Sequence, residues 1–285
     1  MERIVYGWQT AGVCDRLTAM LLLHCIAQKT GRKSLWHWVA NQFCNCPFQN
    51  LFETDVIEVS ENTFGLDGVT IGEGWGSFSA NEVIHRAERN SAYRVLLLRD
   101  GYFGHNFDGL DQVIRPCREV DRLVTQFIEC NWRDKMIGVH VRRTDRRDCG
   151  LPSMERYFAA LDRVLGVIDA GIFLTSDDPT VLDQFADRYC NRVSVFPVCS
   201  YDRNCSCAIV DAVVSLYLLR KTHGVIGSDV SGYSICAGWD CGLINLPPER
   251  CYNFSWSGDA LTFKSPMAFT PFNSEVVTHK PALRS

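Results

Sequence analysis

The chain has 285 residues, 46% hydrophobic and 22% charged, with a formal net charge of −4. That length holds two modest domains or one large one, and the balance is ordinary for a globular protein, which excludes a disordered chain. The negative charge provides no general field for nucleic acid, so an anionic ligand has to be met by a local cluster of bases.

In chain order, the opening MERIVYGWQT has no basic stretch leading into an apolar core, so no signal peptide is read. The longest apolar run, residues 19–25, is broken by His24. No segment reaches the roughly 20 residues needed to cross a bilayer, and a cytoplasmic protein is the expectation. Residues 4–8 read as a strand. Gly12 and a helix to about Lys29 follow, ended by Thr30-Gly31-Arg32 with glycine on the C-terminal side. Residues 34–39 form a second strand, and 55–59 and 94–98 two more. Apolar residues at 110, 113, 114, 117, 120, 123, 124, 127 and 128 predict one long amphipathic helix over 110–128.

From there strands and helices alternate. Strands fall at 135–141, 171–175, 193–198, 224–227 and 242–246, with helices at 152–165, 180–189, 208–221 and 231–239. Strand–helix alternation implies parallel pairing and a doubly wound sheet, whose ligands bind at the carboxyl ends of the strands. The domain boundary is expected near 115–134, dividing an N-terminal α/β half, 1–130, from a Rossmann-like half, 131–285. The tail from Ser265, with Pro266, Pro271 and Pro281, reads as irregular.

The 14 cysteines include the close pairs Cys44/Cys46 and Cys205/Cys207, but no CxxC and no zinc-finger spacing. Several, such as Cys25, Cys130 and Cys236, sit in apolar stretches, so reduced thiols used as small core residues are the expectation. A metal site or a disulfide is the lesser alternative, the disulfide disfavoured without a secretory signal.

Five segments carry candidate chemistry. GVHVRRTDRR, residues 138–147, runs an apolar strand into a basic segment with Arg142, Arg143, Arg146 and Arg147. Side chains alternate along a strand, so Arg142 and Arg143 point opposite ways: one toward a ligand, the other bracing the sheet. Forked guanidinium donors suit pyrophosphate; a solvated basic turn is the alternative. LTSDDP, 174–179, follows a strand, and Asp177 or Asp178 either caps the next helix or holds a ribose or sugar hydroxyl. In AIVDAVVS, 208–215, Asp211 shares a helix side with the small Ala208 and Ala212, facing solvent or a ligand. GSDVSGYS, 227–234, lies between strand and helix, where amides and the Ser228 and Ser231 hydroxyls suit either capping or phosphate. GVCDRL, 12–17, follows the first strand and lacks the GxGxxG pattern.

At these residues the sequence resembles the fucosyltransferase superfamily: the α1,6-fucosyltransferases, the bacterial nodulation fucosyltransferase and the protein O-fucosyltransferases. HVRRTD, 140–145, is similar to the HxRRxD element of the α1,6 group, and TSDDP, 175–179, to its second element. Asp211 with 228–234 resembles the third. Gly12 to Leu17 and Thr30-Gly31-Arg32 resemble the glycine-rich opening.

The resemblance implies a GT-B-like fold, two Rossmann-type domains facing across a cleft. It implies inverting, metal-independent transfer from a GDP-fucose donor to a glycan or other hydroxyl acceptor, with no cofactor. Arg142 would hold the diphosphate and serve catalysis, supported by Arg143. His140 and Asp211 would read the guanine, whose paired N–H donors suit a carboxylate. Asp177 or Asp178 would hold the ribose or base side, Ser228 and Ser231 the phosphate, and Gly12 and Arg16 belong to the same donor set. No DxD motif marks a metal, consistent with arginine in that role. The α1,6 group has a glutamate where this chain has Gly150, so the base falls to Asp145 or Asp148, with Glu155 also near. Trp36, His37, Trp38, His105 and Asn106 are acceptor candidates, core packing being the alternative for both tryptophans. Two other readings are a GT-B transferase for a different nucleotide sugar and a non-catalytic nucleotide- or glycan-binding protein.

Overall fold

A computed structural model describes residues 2–75, 79–144, 151–228, 231–245, 254–257 and 260–263. The first half is built from β1 (Ile4–Gln9), α1 (Val13–Thr30), β2 (Lys33–Trp38), β3 (Phe52–Glu53), β4 (Glu58–Ser60), β5 (Val69–Trp75), α2 (Ala80–Arg89), β6 (Val95–Tyr102), α3 (Leu110–Val113) and β7 (Arg115–Pro116). The helix α4 (Arg118–Asn131) leads into β8 (Met136–Val141), α5 (Met154–Leu165), β9 (Gly171–Ser176), α6 (Pro179–Tyr189), β10 (Val193–Ser194), α7 (Ser206–Arg220), β11 (Val225–Gly227), α8 (Gly232–Gly238) and β12 (Leu243–Asn245). The short antiparallel pair β13 (Phe254–Ser257) and β14 (Ala260–Phe263) follows.

Two five-stranded sheets result, in the orders β4-β2-β1-β6-β5 and β10-β9-β8-β11-β12. Every pairing within them is parallel. Parallel strands need crossover connections, and helices cover both faces, so central strands become wholly apolar. In β8, MIGVHV, all six residues are buried. Close layers require Gly7, where a Cβ would lie 2.6 Å from Leu23 and 3.0 Å from Trp36. Gly31, at φ 60°, ends α1 in the left-handed conformation that glycine tolerates.

The two sheets are not packed as separate bodies. One apolar cluster runs from Val5, Leu22 and Leu98 of the first half through α4 and α7 to Phe173, Leu219 and Val225 of the second. Helices α1 and α7 are correspondingly buried around most of their circumference, the pattern of helices packed from more than one side. Across the junction Phe107 meets Trp239 edge-to-face at 5.7 Å. Trp239 Nε1 donates to Asp108 at 2.9 Å, and Arg220 bridges Asp111 and Asp240.

Several sequence expectations require correction. The helix expected over 110–128 is broken: Pro116 has no N–H to donate, Ile114 is extended at φ −135°, and the chain makes β7 before restarting at Arg118. The strand expected over 193–198 pairs only at Val193–Ser194, before Pro197. Sequence reading missed β5, whose Gly72 and Gly74 interrupt the alternating pattern where its register shifts, and missed α2. Cys14, Cys44, Cys46, Cys117 and Cys236 are buried as expected, but Cys130 is exposed, and Cys199 and Cys207 form a disulfide. The tail from Ser265 lies outside the described residues. Among the described residues no helix is long and apolar enough to cross a membrane.

A core shared by both halves couples them energetically. Unfolding in urea, followed by far-ultraviolet dichroism and tryptophan fluorescence, is expected to give coincident single transitions. Leu219→Ala, in the shared layer, is expected to cost about 2–5 kcal/mol and to shift both probes together.

Candidate functional site

The site begins where β8 ends. Val141 closes the buried strand, and Arg142 and Arg143, both half-buried, follow. Asp177, at the end of the neighbouring β9, takes hold of this exit. Its Oδ1 accepts the Arg143 backbone N–H at 2.6 Å, and its Oδ2 accepts the Thr144 N–H at 3.2 Å and the Thr144 hydroxyl at 2.7 Å. Three donors on one carboxylate fix the direction in which the basic segment leaves the sheet.

The two arginines then divide as strand alternation requires. Arg143 turns back into its own half, donating to the Pro152 carbonyl at 2.7 Å and lying 5.7 Å from the Tyr157 ring centre. The charge of Arg142 is felt by His140 in its own half and by Cys14, in the first turn of α1, in the other. Arg142 directly follows the strand and is half-buried, while Arg143 braces.

His140 is buried. Its Nδ1 is 2.6 Å from the Ser234 hydroxyl, which itself accepts the Ser228 N–H at 3.2 Å. This contact fixes the ring through Nδ1, with the ring tautomer setting which partner donates. The ring packs on Tyr233 at 4.6 Å. Burial pushes the imidazole down to about 4; Asp177 pulls weakly the other way and Arg142 reinforces the fall. His140 is therefore a neutral hydrogen-bonding group.

Around it, the Ser231 hydroxyl is fully buried with no hydrogen-bond partner, at the start of α8. Half-buried Asp211 on α7 accepts the Cys199 N–H at 2.7 Å through Oδ2. Asp178 caps α6, accepting the Thr180 N–H at 2.9 Å. Of the two readings held open for Asp177 and Asp178, capping holds for Asp178, and Asp177 clamps the neighbouring strand exit.

The first half contributes the start of α1. Gly12 occupies the N-cap position without a side-chain cap, and a Cβ there would meet only Asp15 Oδ2, at 4.0 Å. Arg16 does not serve the donor. It is wholly buried and donates to Ala11 O at 2.6 Å, Val39 O at 2.5 Å and Asn41 Oδ1 at 2.9 Å, over the Trp38 ring. Its reading as a donor-binding residue is corrected: it ties the β1–α1 turn to the end of β2. Trp36 and Trp38 are fully buried core residues and not acceptor platforms. His37 reaches Glu61 O, and Asn106 holds a local turn through Asp108 N. Asp145 and Asp148 lie outside the described residues.

Sequence reading missed a relay across 90 residues. The Tyr102 hydroxyl is 3.2 Å from His105 Nδ1, and His105 Nε2 is 3.2 Å from Asp15 Oδ1. With the Tyr102 hydroxyl donating to Nδ1, the Nε2–H donates to Asp15. Gly232 of the second half presses on this imidazole, where a Cβ would lie 2.5 Å from Nε2. Asp15 Oδ2 lies beside Gly12, 4.0 Å from where a Cβ would stand. The only sequence signal was a histidine at 105. Two surface concavities, about 750 Å³ on α2 and about 510 Å³ beside β4, lie away from these strand ends.

Comparison with solved structures identifies the fold. The chain is similar to the NodZ α-1,6-fucosyltransferase soaked with GDP-fucose, at 19% identity and a TM-score of 0.63, over 83% of this chain and 92% of that one. It is similar to a mutant of Arabidopsis thaliana FUT1 in complex with GDP, at 13% identity and 0.60, over 85% and 70%. It is also similar to POFUT1 in complex with GDP-fucose, at 12% and 0.54, over 83% and 92%. The fold is that of the GT-B fucosyltransferases. No family model and no curated protein matches the chain.

The buried His140 has a pH signature. Its ordinary value is 6.5 and its folded value about 4, so between these the unfolded chain binds a proton that the folded chain refuses. Its contribution to stability is complete above pH 6.5 and is lost as pH falls toward 4, by about 3 kcal/mol in all. Denaturant titrations at pH 7 and pH 4.5 are expected to show this loss, and His140→Gln to diminish it.

Proposed function

We propose that the protein is an inverting glycosyltransferase that moves fucose from GDP-fucose to a hydroxyl of a glycan or other acceptor, without a metal. The observation that supports the reading is half-buried Arg142 directly after β8, beside the exit that Asp177 clamps, in a fold shared with proteins solved with GDP and GDP-fucose. Residues 131–285 form the donor half on this reading, and 1–130 the acceptor half.

In the reaction an acceptor oxygen attacks C1 of fucose, and the bond from C1 to the β-phosphate oxygen breaks with its electron pair leaving on GDP. Negative charge grows on the diphosphate, and a positioned guanidinium stabilises it most at the transition state. Arg142 is that group. Arg143 and Asp177 act behind it by fixing the strand exit. The neutral imidazole of His140 and the second oxygen of Asp211 suit the guanine edge, and Ser228 and Ser231 suit phosphate. The acceptor proton needs a base on the first half, and Asp15, polarised by His105, is the acid beside Gly12.

Nucleotide binding and GDP-fucose turnover test this. A shift in melting temperature is expected with GDP and not with UDP, ADP, TDP or CDP, measured without metal. Arg142→Ala is expected to lower kcat by at least about 100-fold while the fold is retained. Normal turnover in that variant would overturn the assignment, and a shift with another nucleotide would discard fucose.

Asp15→Asn is expected to leave GDP affinity unchanged and to slow transfer to the acceptor by about 100-fold or more. Equal losses in binding and transfer would instead mark Asp15 as part of the support for α1.

A further inference from the structure

Three sulfur atoms converge on one point outside the candidate site. The segment after β10 carries Cys199, Cys205 and Cys207, whose Sγ atoms all lie within 4.8 Å of one another. Cys199 and Cys207 are bonded as a disulfide, and Cys205 Sγ stands 2.7 Å from Cys207 Sγ. A disulfide accounts for two of these sulfurs and gives the third no role. The setting is also unlike that of the five core cysteines, because Cys199 and Cys207 are exposed and Cys205 half-buried.

A tight turn creates the convergence. The Asp202 N–H reaches Ser200 Oγ at 3.0 Å, the Asn204 N–H reaches Asp202 Oδ1 at 2.9 Å, and the Cys205 N–H reaches Asp202 O at 2.9 Å. The turn folds Cys199 back onto the start of α7, where Cys205 is the N-cap residue without a side-chain cap bond. Uncapped amides there favour a negatively charged neighbour.

We propose that in the reduced protein Cys199, Cys205 and Cys207 bind one borderline-soft cation, Zn²⁺, with water in the fourth position. A zinc–thiolate bond of about 2.3 Å sets tetrahedral sulfurs about 3.8 Å apart, so opening the disulfide and moving Cys205 and Cys207 apart by about 1 Å suffices. The disulfide is the metal-free oxidised form of the same site. A dithiol reductant opens the Cys199–Cys207 bond, giving its two electrons and two protons to the pair and becoming a disulfide itself. Zn²⁺ then displaces three thiol protons, and no sulfur changes oxidation state. Three thiolates around Zn²⁺ leave one negative charge beside the start of α7.

The site would act as a staple. It closes the segment whose Cys199 N–H holds Asp211 and whose Arg203 and Asn204 carbonyls accept from Asn45 of the first half, at 3.3 and 2.8 Å. Such a role is structural and separate from the transfer chemistry. The inference does not rest on the proposed activity.

The test uses the full chain reduced with a phosphine, which does not compete for the metal. Titration with Co²⁺ is expected to show thiolate-to-metal absorption saturating at one equivalent per chain, displaced by Zn²⁺. Cys205→Ser is expected to weaken binding by at least about 100-fold, and Cys130→Ser to leave it unchanged. On the unmutated protein, Zn²⁺ is expected to protect Cys199, Cys205 and Cys207 from alkylation and to leave the exposed Cys130 and Cys190 reactive. That footprint decides the matter if Cys205→Ser fails to fold. Absence of stoichiometric binding, unchanged affinity in Cys205→Ser, or no zinc protection of the three thiols would each overturn the proposal. So would a Cys199–Cys207 bond that yields to phosphine only after denaturation.

Discussion

The constraint on which the molecule depends is a single apolar layer serving two parallel sheets. Each sheet needs helices on both faces, and α1, α4, α7 and α8 supply part of that cover for both at once. Burial is the dominant favourable term in folding, so the sequence cannot retain one half while loosening the other. The consequence reaches the candidate site directly. Helices α1 and α8 pack against each other, and the His105 ring, whose Nε2 meets Asp15 of α1, lies against Gly232 at the start of α8. Chemistry divided between two halves requires a fixed junction of this kind, because catalytic geometry tolerates little misplacement.

Within that frame the polar groups separate into those that hold and those that face outward. Asp177 uses both oxygens on the exit of β8, Arg143 lays its side chain on Pro152 and Tyr157, and Arg16 donates to three acceptors. These are charged residues used as braces, and removing one leaves its buried partners unpaired. His140 belongs to both groups. Its Nδ1 is held by the Ser234 hydroxyl, which fixes the orientation of the ring. A neutral imidazole beside Arg142 also avoids placing two cations together, so the low value of His140 and the position of Arg142 are mutually consistent.

How much of this could be read in the sequence follows the range of each interaction. The second half was legible because its strands are short apolar runs bounded by glycine, proline and polar residues, and β8, β9 and β11 appear close to their expected bounds. The period of a strand predicts that one of Arg142 and Arg143 braces, and Arg143 is that residue. The first half was less legible where local signals conflict. The apolar period of residues 110–128 continues straight through Pro116, and the missing N–H overrides it. The glycines of β5 hide a strand whose stability comes from its long pairing with β6. Arg16 looked like a ligand group because its three acceptors, Ala11, Val39 and Asn41, come together only after β1 and β2 pair.

The same distinction explains the acids. Asp177 and Asp178 are adjacent and chemically identical, and pattern assigned them equal standing. The structure separates them by geometry: Asp178 sits where an α6 N–H needs an acceptor, while Asp177 sits one residue earlier, beside the last rung of the β8–β9 ladder, where Val141 pairs with Ser176. Asp15 was hidden for the opposite reason. An acid in the first turn of a helix is ordinarily explained by the helix dipole, and nothing local distinguishes it. Its distinction comes from His105, placed after the end of β6, whose Nε2 meets Asp15 Oδ1 at 3.2 Å. A contact between residues 90 positions apart forms only once β1 and β6 pair, so nothing near Asp15 in the sequence announces it.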